Sequence, residues 1–152
     1  MKKFNKILLY LFAITFFACS SSKQKQFEHI DKYFKEVHNF TIDDKIGKII
    51  VITEGTGCPT CDKTFSDAIL EYSQEASTIF LVSATGKFID VQPYLNLENN
   101  CFFDCEFNRK EYPEFASTNV IFLKNKEVDT IITMQSEILT EQLEYIKSVK
   151  KP

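Results

Sequence analysis

Ile49-Ile50-Val51-Ile52-Thr53-Glu54-Gly55-Thr56-Gly57-Cys58-Pro59-Thr60-Cys61 is two signals joined by a turn. The β-branched, apolar start reads as a strand buried on both faces, because a half-solvated strand would alternate with polar residues. Gly55-Thr56-Gly57 turns the chain, and Cys58 to Cys61 opens a helix. Pro59 suits a first helical turn, where its missing N–H would have no partner. Phe65, Ala68, Ile69, Tyr72 and Ala76 give that helix an apolar stripe. Thr78-Ile79-Phe80-Leu81-Val82 is a second apolar strand, so strand, helix and strand follow as a βαβ unit.

Outward from this unit the pattern stays α/β. Phe27, Ile30, Phe34 and Val37 have helical spacing and predict an amphipathic helix over about residues 24 to 40. Between the second strand and residue 116, Phe88, Val91 and Leu95 could share a helical face, but Pro93 shortens it. Cys101 to Cys105 reads as a short strand, and Asn108 to Phe115 as a helical turn or two limited by Pro113. Val120 to Leu123, a turn at Lys124-Asn125-Lys126, and Val128 to Met134 predict an antiparallel hairpin. Ser136 is placed to cap a last helix with Leu139, Leu143 and Ile146 on one face, Glu137 in its first turn and Lys147 and Lys150 in its last. The 152 residues, 44% apolar, suit one globular domain, with no internal repeat.

The five cysteines are an odd number, which makes the compartment matter. Met1-Lys2-Lys3-Phe4-Asn5-Lys6 is a basic start, and Ile7 to Ala18 is an apolar run too short to span a bilayer but right for a secretory leader. Phe16-Phe17-Ala18-Cys19 resembles the bacterial lipoprotein box, with Phe16 where that pattern usually has leucine. The resemblance implies a signal peptide over 1–18, Cys19 as the lipid-bearing first residue of the mature protein (palmitate), and a cell-envelope location on the periplasmic side of a membrane. Residues 19–26 then form a polar tether and 27–152 the folded domain. Removing Lys2, Lys3 and Lys6 takes the basic side chains from 18 to 15 against 21 acidic, and the net charge from −3 to −6. With no basic face beside the aromatic residues, nucleic acid is not an expected partner.

A cysteine at a helix N-terminus faces unpaired N–H groups and the positive end of the dipole, which favour its thiolate. Cys58 is therefore the candidate nucleophile. Cys61, one turn on and four residues before Phe65, leans toward the apolar stripe. An attacking thiol beside a sheltered one is the geometry for a mixed disulfide followed by intramolecular resolution.

The order of elements and Cys58-Pro59-Thr60-Cys61 together resemble the thioredoxin-like fold over roughly Phe27 to Val149. That resemblance implies a central mixed sheet with a βαβ half, a C-terminal hairpin and flanking helices. It also implies a thiol-disulfide oxidoreductase in which Cys58 attacks and Cys61 resolves, with no bound cofactor or metal. Its clients would be protein or small-thiol disulfides, and a redox partner would recycle the pair. The sequence departs from the family at several places. Gly57 replaces the usual aromatic residue before the first cysteine, and Ile52 the buried acid six positions before it. Glu54 is an alternative acid, either a proton acceptor or a solvated strand end. Thr118, between Ser117 and Asn119, falls where the family has the cis-proline that packs on the disulfide and helps hold client backbone. There is no tryptophan.

Cys101 and Cys105 form a second pair. In an ideal strand their Cα atoms would lie about 13 Å apart, too far for a disulfide, whereas a turn would bring them within reach. A local bridge, free thiols, a relay to Cys58-Cys61 and a four-cysteine zinc site all remain open, although Cys61 runs into a helix without the glycine turn of a zinc knuckle. His29 and His38, nine apart, fall on opposite helix faces and predict no metal site. Asp43-Asp44, and Asp104 with Glu106, read as solvated acids. Besides the oxidoreductase, two readings compete: a non-catalytic lipoprotein whose bridges are structural and whose domain is a binding or scaffold module, and envelope metal handling through the glycine-led CxxC loop.

Overall fold

The structure, a computed structural model, describes residues 22–54, 58–97, 100–104 and 111–149. Five strands form one open mixed sheet: β1 Lys48–Thr53, β2 Thr78–Ser83, β3 Cys101–Phe103, β4 Asn119–Lys124 and β5 Glu127–Thr133, in the order β3-β2-β1-β4-β5. β1 pairs parallel with β2, and β2 parallel with β3, while β4 is antiparallel to both β1 and β5. The helices are α1 Ser22–His38, α2 Pro59–Ile69, α3 Gln92–Leu95 and α4 Leu139–Ser148. Among the described residues no helix is long and apolar enough to cross a membrane.

The continuous apolar runs do what their pattern requires. Every residue of β1 and β2 is buried, and their alternating side chains divide the core in two. Ile49, Val51, Ile79 and Leu81 meet Phe27, Ile30, Tyr33 and Phe34 of α1 on one face. Ile50, Ile52, Phe80 and Val82 meet Phe65 and Ile69 of α2 and Ile146 of α4 on the other. Each fully buried Ile or Phe contributes about 1.5–3 kcal/mol over an exposed one, so a central strand of this kind anchors the whole sheet. Lys48 is buried with them because its Nζ lies 3.1 Å from Glu75 Oε2 and 3.9 Å from the centroid of the Tyr72 ring.

The structure also corrects details. α1 begins at Ser22, taking in residues read as tether, and Lys23 Nζ donates to Asp129 O at 2.8 Å. Tyr33 is buried in it, and Val37 is exposed. Along α2 the buried stripe is Asp62, Phe65, Ser66 and Ile69; Ala68 is half-buried and Ala76 exposed, because the helix gives way at Leu70 to a 3-10 turn through Gln74. Pro93 starts α3 instead of breaking it, so Tyr94 and Ile89 are buried while Phe88 and Leu95 face solvent. Pro113 likewise opens a 3-10 turn, Pro113–Phe115. The hairpin turns at Asn125 and Lys126, both with φ above 50°. Ser136 does not cap the last helix: it begins a 3-10 turn, and α4 starts at Leu139 without a side-chain cap at Ile138. Gln142 ties this corner instead, its Nε2 donating to Thr133 O and its Oε1 accepting from Gln135 N. Residues 1–21 with Cys19, Gly55 to Gly57, Cys105 to Lys110 and Lys150 lie outside the described residues.

Candidate functional site at the Cys58-Cys61 disulfide

β1 leads to Cys58, which is the N-cap of α2, with extended backbone at φ −132° and ψ 90°. Its Sγ accepts from Cys61 N at 3.2 Å, and its carbonyl accepts from Asp62 N at 3.0 Å. A sulfur thus occupies the place that a serine or aspartate oxygen takes at other helix starts. Cys58 and Cys61 are joined by a disulfide, with Cα atoms 5.2 Å apart. The contrast expected between an exposed and a sheltered sulfur is absent, since both residues are half-buried. What distinguishes Cys58 is its position at the helix terminus.

The bridge opens on a cavity of about 380 Å³ whose wall includes Asp62, Phe65, Thr118, Met134 and Glu137. Thr118 is brought to the disulfide as its place in the sequence predicts, but it is not available to a ligand. Its buried hydroxyl donates to Thr53 O at 3.1 Å, accepts from Thr53 N at 3.1 Å and lies 3.1 Å from Thr53 Oγ1. Its carbonyl accepts from Met134 N at 3.0 Å. Backbone that could pair with an extended client is committed to β5's end.

Glu54 is neither a solvated carboxylate nor a free base. Oε2 accepts from Thr85 N at 2.8 Å and Thr85 Oγ1 at 2.7 Å, and Oε1 accepts from Phe88 N at 2.9 Å and Ile89 N at 3.0 Å. Desolvation works against its charge, but these four bonds outweigh it and take the pKa down from 4.5 to about 2. The carboxylate is a clamp that holds the 85–89 segment against the end of β1.

Asp62 is a buried acid that no motif of the sequence marks. It is only 5% exposed and lines the disulfide's cavity, whereas Ile52 is a fully buried core residue. The signal was legible: Asp62, Phe65, Ser66 and Ile69 follow the i, i+3, i+4, i+7 rule for one helix face. An aspartate at the head of that series is on the core side.

The remaining candidates lie elsewhere. Cys101 carries a free thiol on β3, two strands from β1, and burial raises its pKa to about 12. His29 stacks on Tyr112 with ring centroids 4.9 Å apart, and its Nδ1 lies 3.4 Å from Glu114 Oε1. His38 packs on Phe102, 3.4 Å from the Tyr33 hydroxyl, and burial lowers its pKa. Among the described residues no cluster of His, Cys, Asp and Glu could hold a metal ion. Asp104 is not a solvated acid, since its Oδ2 accepts from Tyr33 Oη at 2.7 Å. Asp43 accepts from Lys45 N, and Asp44 pairs with Lys126. No family model, curated protein or solved structure matches the chain.

Proposed function

We propose that the chain is a thioredoxin-like thiol-disulfide oxidoreductase held at a bacterial envelope membrane by a lipid on Cys19. The observation that carries the reading is the Cys58-Cys61 disulfide at a helix N-cap, open to a cavity. Element order from β1 to α4, with β4 antiparallel to β1, supports the fold assignment.

In the reducing direction the Cys58 thiolate attacks a client disulfide, forming the Cys58-client bond and expelling one client thiolate, which takes a proton. The Cys61 thiol then gives its proton to the carboxylate of Asp62, and its sulfur attacks Cys58 Sγ. The second client thiolate leaves, and the Cys58-Cys61 bond closes. Two electrons have passed from the pair to the client, and a dithiol partner returns them. The oxidising direction is the same sequence reversed. The helix terminus stabilises Cys58 as attacking and as leaving thiolate.

Reduction of insulin disulfides and oxidation of a reduced peptide test the reading on the purified protein. Turnover in either direction that Cys58→Ser abolishes is expected. A folded wild type inert in both directions would sink it.

A second reading has an observation of its own. Thr118 O is bonded to Met134 N, so the backbone that should grip a client is occupied. On that reading the bridge is structural and the domain is a binding or scaffold module. It predicts that Cys58→Ser costs stability but leaves the cellular phenotype intact.

A further inference from the structure

The surroundings of the disulfide carry charge of mainly one sign. Asp62 and Glu137 line its cavity, and no lysine, arginine or histidine among the described residues does. Asp62 N donates to Cys58 O at 3.0 Å, which places this acid one helical turn from the attacking cysteine. Glu137 is exposed. Glu54 precedes Cys58 by four residues, so their Cα atoms lie within about 14 Å of each other whatever path the chain takes. Its pKa of about 2 keeps it ionised at neutral pH. Gly55, Thr56 and Gly57, between the two, bring no charge. The cations on the flanking segments are two lysines. Lys63 Nζ is 2.8 Å from Asp67 Oδ2, which offsets it. Lys87 lies over the Phe88 ring in the segment that Glu54 holds, with Asp90 three residues on. Glu54, Asp62, Asp67, Asp90 and Glu137 therefore stand against Lys63 and Lys87.

Such a field acts through solvent and needs no contact. An acid about 8 Å from a unit charge on an approaching partner alters the encounter roughly twofold in water at low salt. Two acids in the cavity wall, acting on a partner changed from negative to positive, multiply to about tenfold. We propose that this acidic setting makes Cys58-Cys61 selective for disulfides and thiols that are cationic beside the reacting sulfur, and slow with anionic ones, the chemical class of glutathione. The site is the reacting disulfide itself, and the acids set which partners approach it; the selectivity rests on the oxidoreductase reading and names its substrate class. In each exchange the reduced pair is oxidised to the Cys58-Cys61 disulfide, and the partner disulfide takes up two electrons and two protons to leave as two thiols.

The full-length protein is reduced, freed of reductant and mixed with cystamine, bis(2-hydroxyethyl) disulfide or dithiodipropionate, which are positive, neutral and negative at both ends. Each rate is divided by that of the same disulfide with dithiothreitol, which removes differences in intrinsic reactivity. A normalised ratio of cystamine to dithiodipropionate of about ten is expected at about 0.01 M salt, falling to about three at about 0.15 M. Glu137→Gln should lower the low-salt ratio about threefold, and Glu137→Lys should bring it close to unity. Salt dependence is read on the wild type alone, so it decides the matter should either variant fail to fold. A wild-type ratio close to unity, or one that neither salt nor the Glu137 variants move, overturns the selectivity and leaves the oxidoreductase reading standing. A folded wild type that exchanges with none of the three overturns both.

Discussion

The hydroxyl of Thr118 and the backbone of Thr53 form a closed clip, with Thr118 Oγ1 accepting from Thr53 N and donating to Thr53 O, both at 3.1 Å. The clip binds the lead-in to β4 to the end of β1, beside the disulfide. Thr118→Val keeps the shape but removes both bonds and strands two buried backbone groups. A loss of about 2 kcal/mol is expected, read as a lower urea midpoint at unchanged slope, with Thr118→Ser restoring most of it.

Glu54 couples the same region to pH. Its folded pKa of about 2 lies below the ordinary 4.5, so its contribution is fully present above pH 4.5 and is lost as pH falls toward 2. Glu54→Gln should cost about 1–2 kcal/mol at pH 7 and flatten the acid limb of stability against pH. A mutant whose acid limb matches the wild type would show that the clamp has no part in it.

On the oxidoreductase reading, Asp62→Asn should separate attack from resolution. Formation of the Cys58-client mixed disulfide should proceed at nearly the wild-type rate, while its collapse through Cys61 slows about 100-fold. Quenched-flow trapping of the mixed disulfide reads the two steps apart. Equal slowing of both would remove Asp62 from the proton transfer.

Lys126 sits at φ 59°, second of two left-handed residues in the hairpin turn, where asparagine and glycine are favoured. Lys126→Gly should raise stability by about 0.5 kcal/mol, the left-handed penalty less the entropy that glycine adds to the unfolded chain. Losing the exposed Lys126-Asp44 pair changes little.

Burial holds the Cys101 thiol at about 12, so it stays protonated at neutral pH. Thiol reagents should label it in urea and leave it nearly untouched in the native protein. Rapid native labelling would contradict the burial.

The sheet and helices were legible where one pattern sufficed. Ile49 to Ile52 and Ile79 to Val82 are apolar at every position, and the buried polar residues of these strands, Lys48, Thr53, Thr78 and Ser83, sit at their ends. The misreadings came where two rules competed. Pro93 and Pro113 each read as breakers from the sequence, yet both occupy first turns, where a missing N–H costs nothing. Ser136 has the chemistry of a cap, but it opens a 3-10 turn instead, and Gln142 ties that corner to Gln135 N and Thr133 O. At the site, spacing along the chain names the cysteine pair, Thr118 and Glu54, but not what Glu54 does, because its partners are backbone N–H groups and one hydroxyl more than 30 residues away that no side-chain pattern announces.

β2 is apolar at four successive positions, Ile79 to Val82, and β3 covers its outer side with three residues, Cys101 to Phe103, paired to Phe80, Leu81 and Val82. Three residues are enough to satisfy that edge but offer a very short template to the next molecule. A short edge strand is one of the ways folded proteins keep copies from pairing strand to strand, so lengthening β3 by a few β-branched residues should raise the tendency to aggregate, read by light scattering at high concentration.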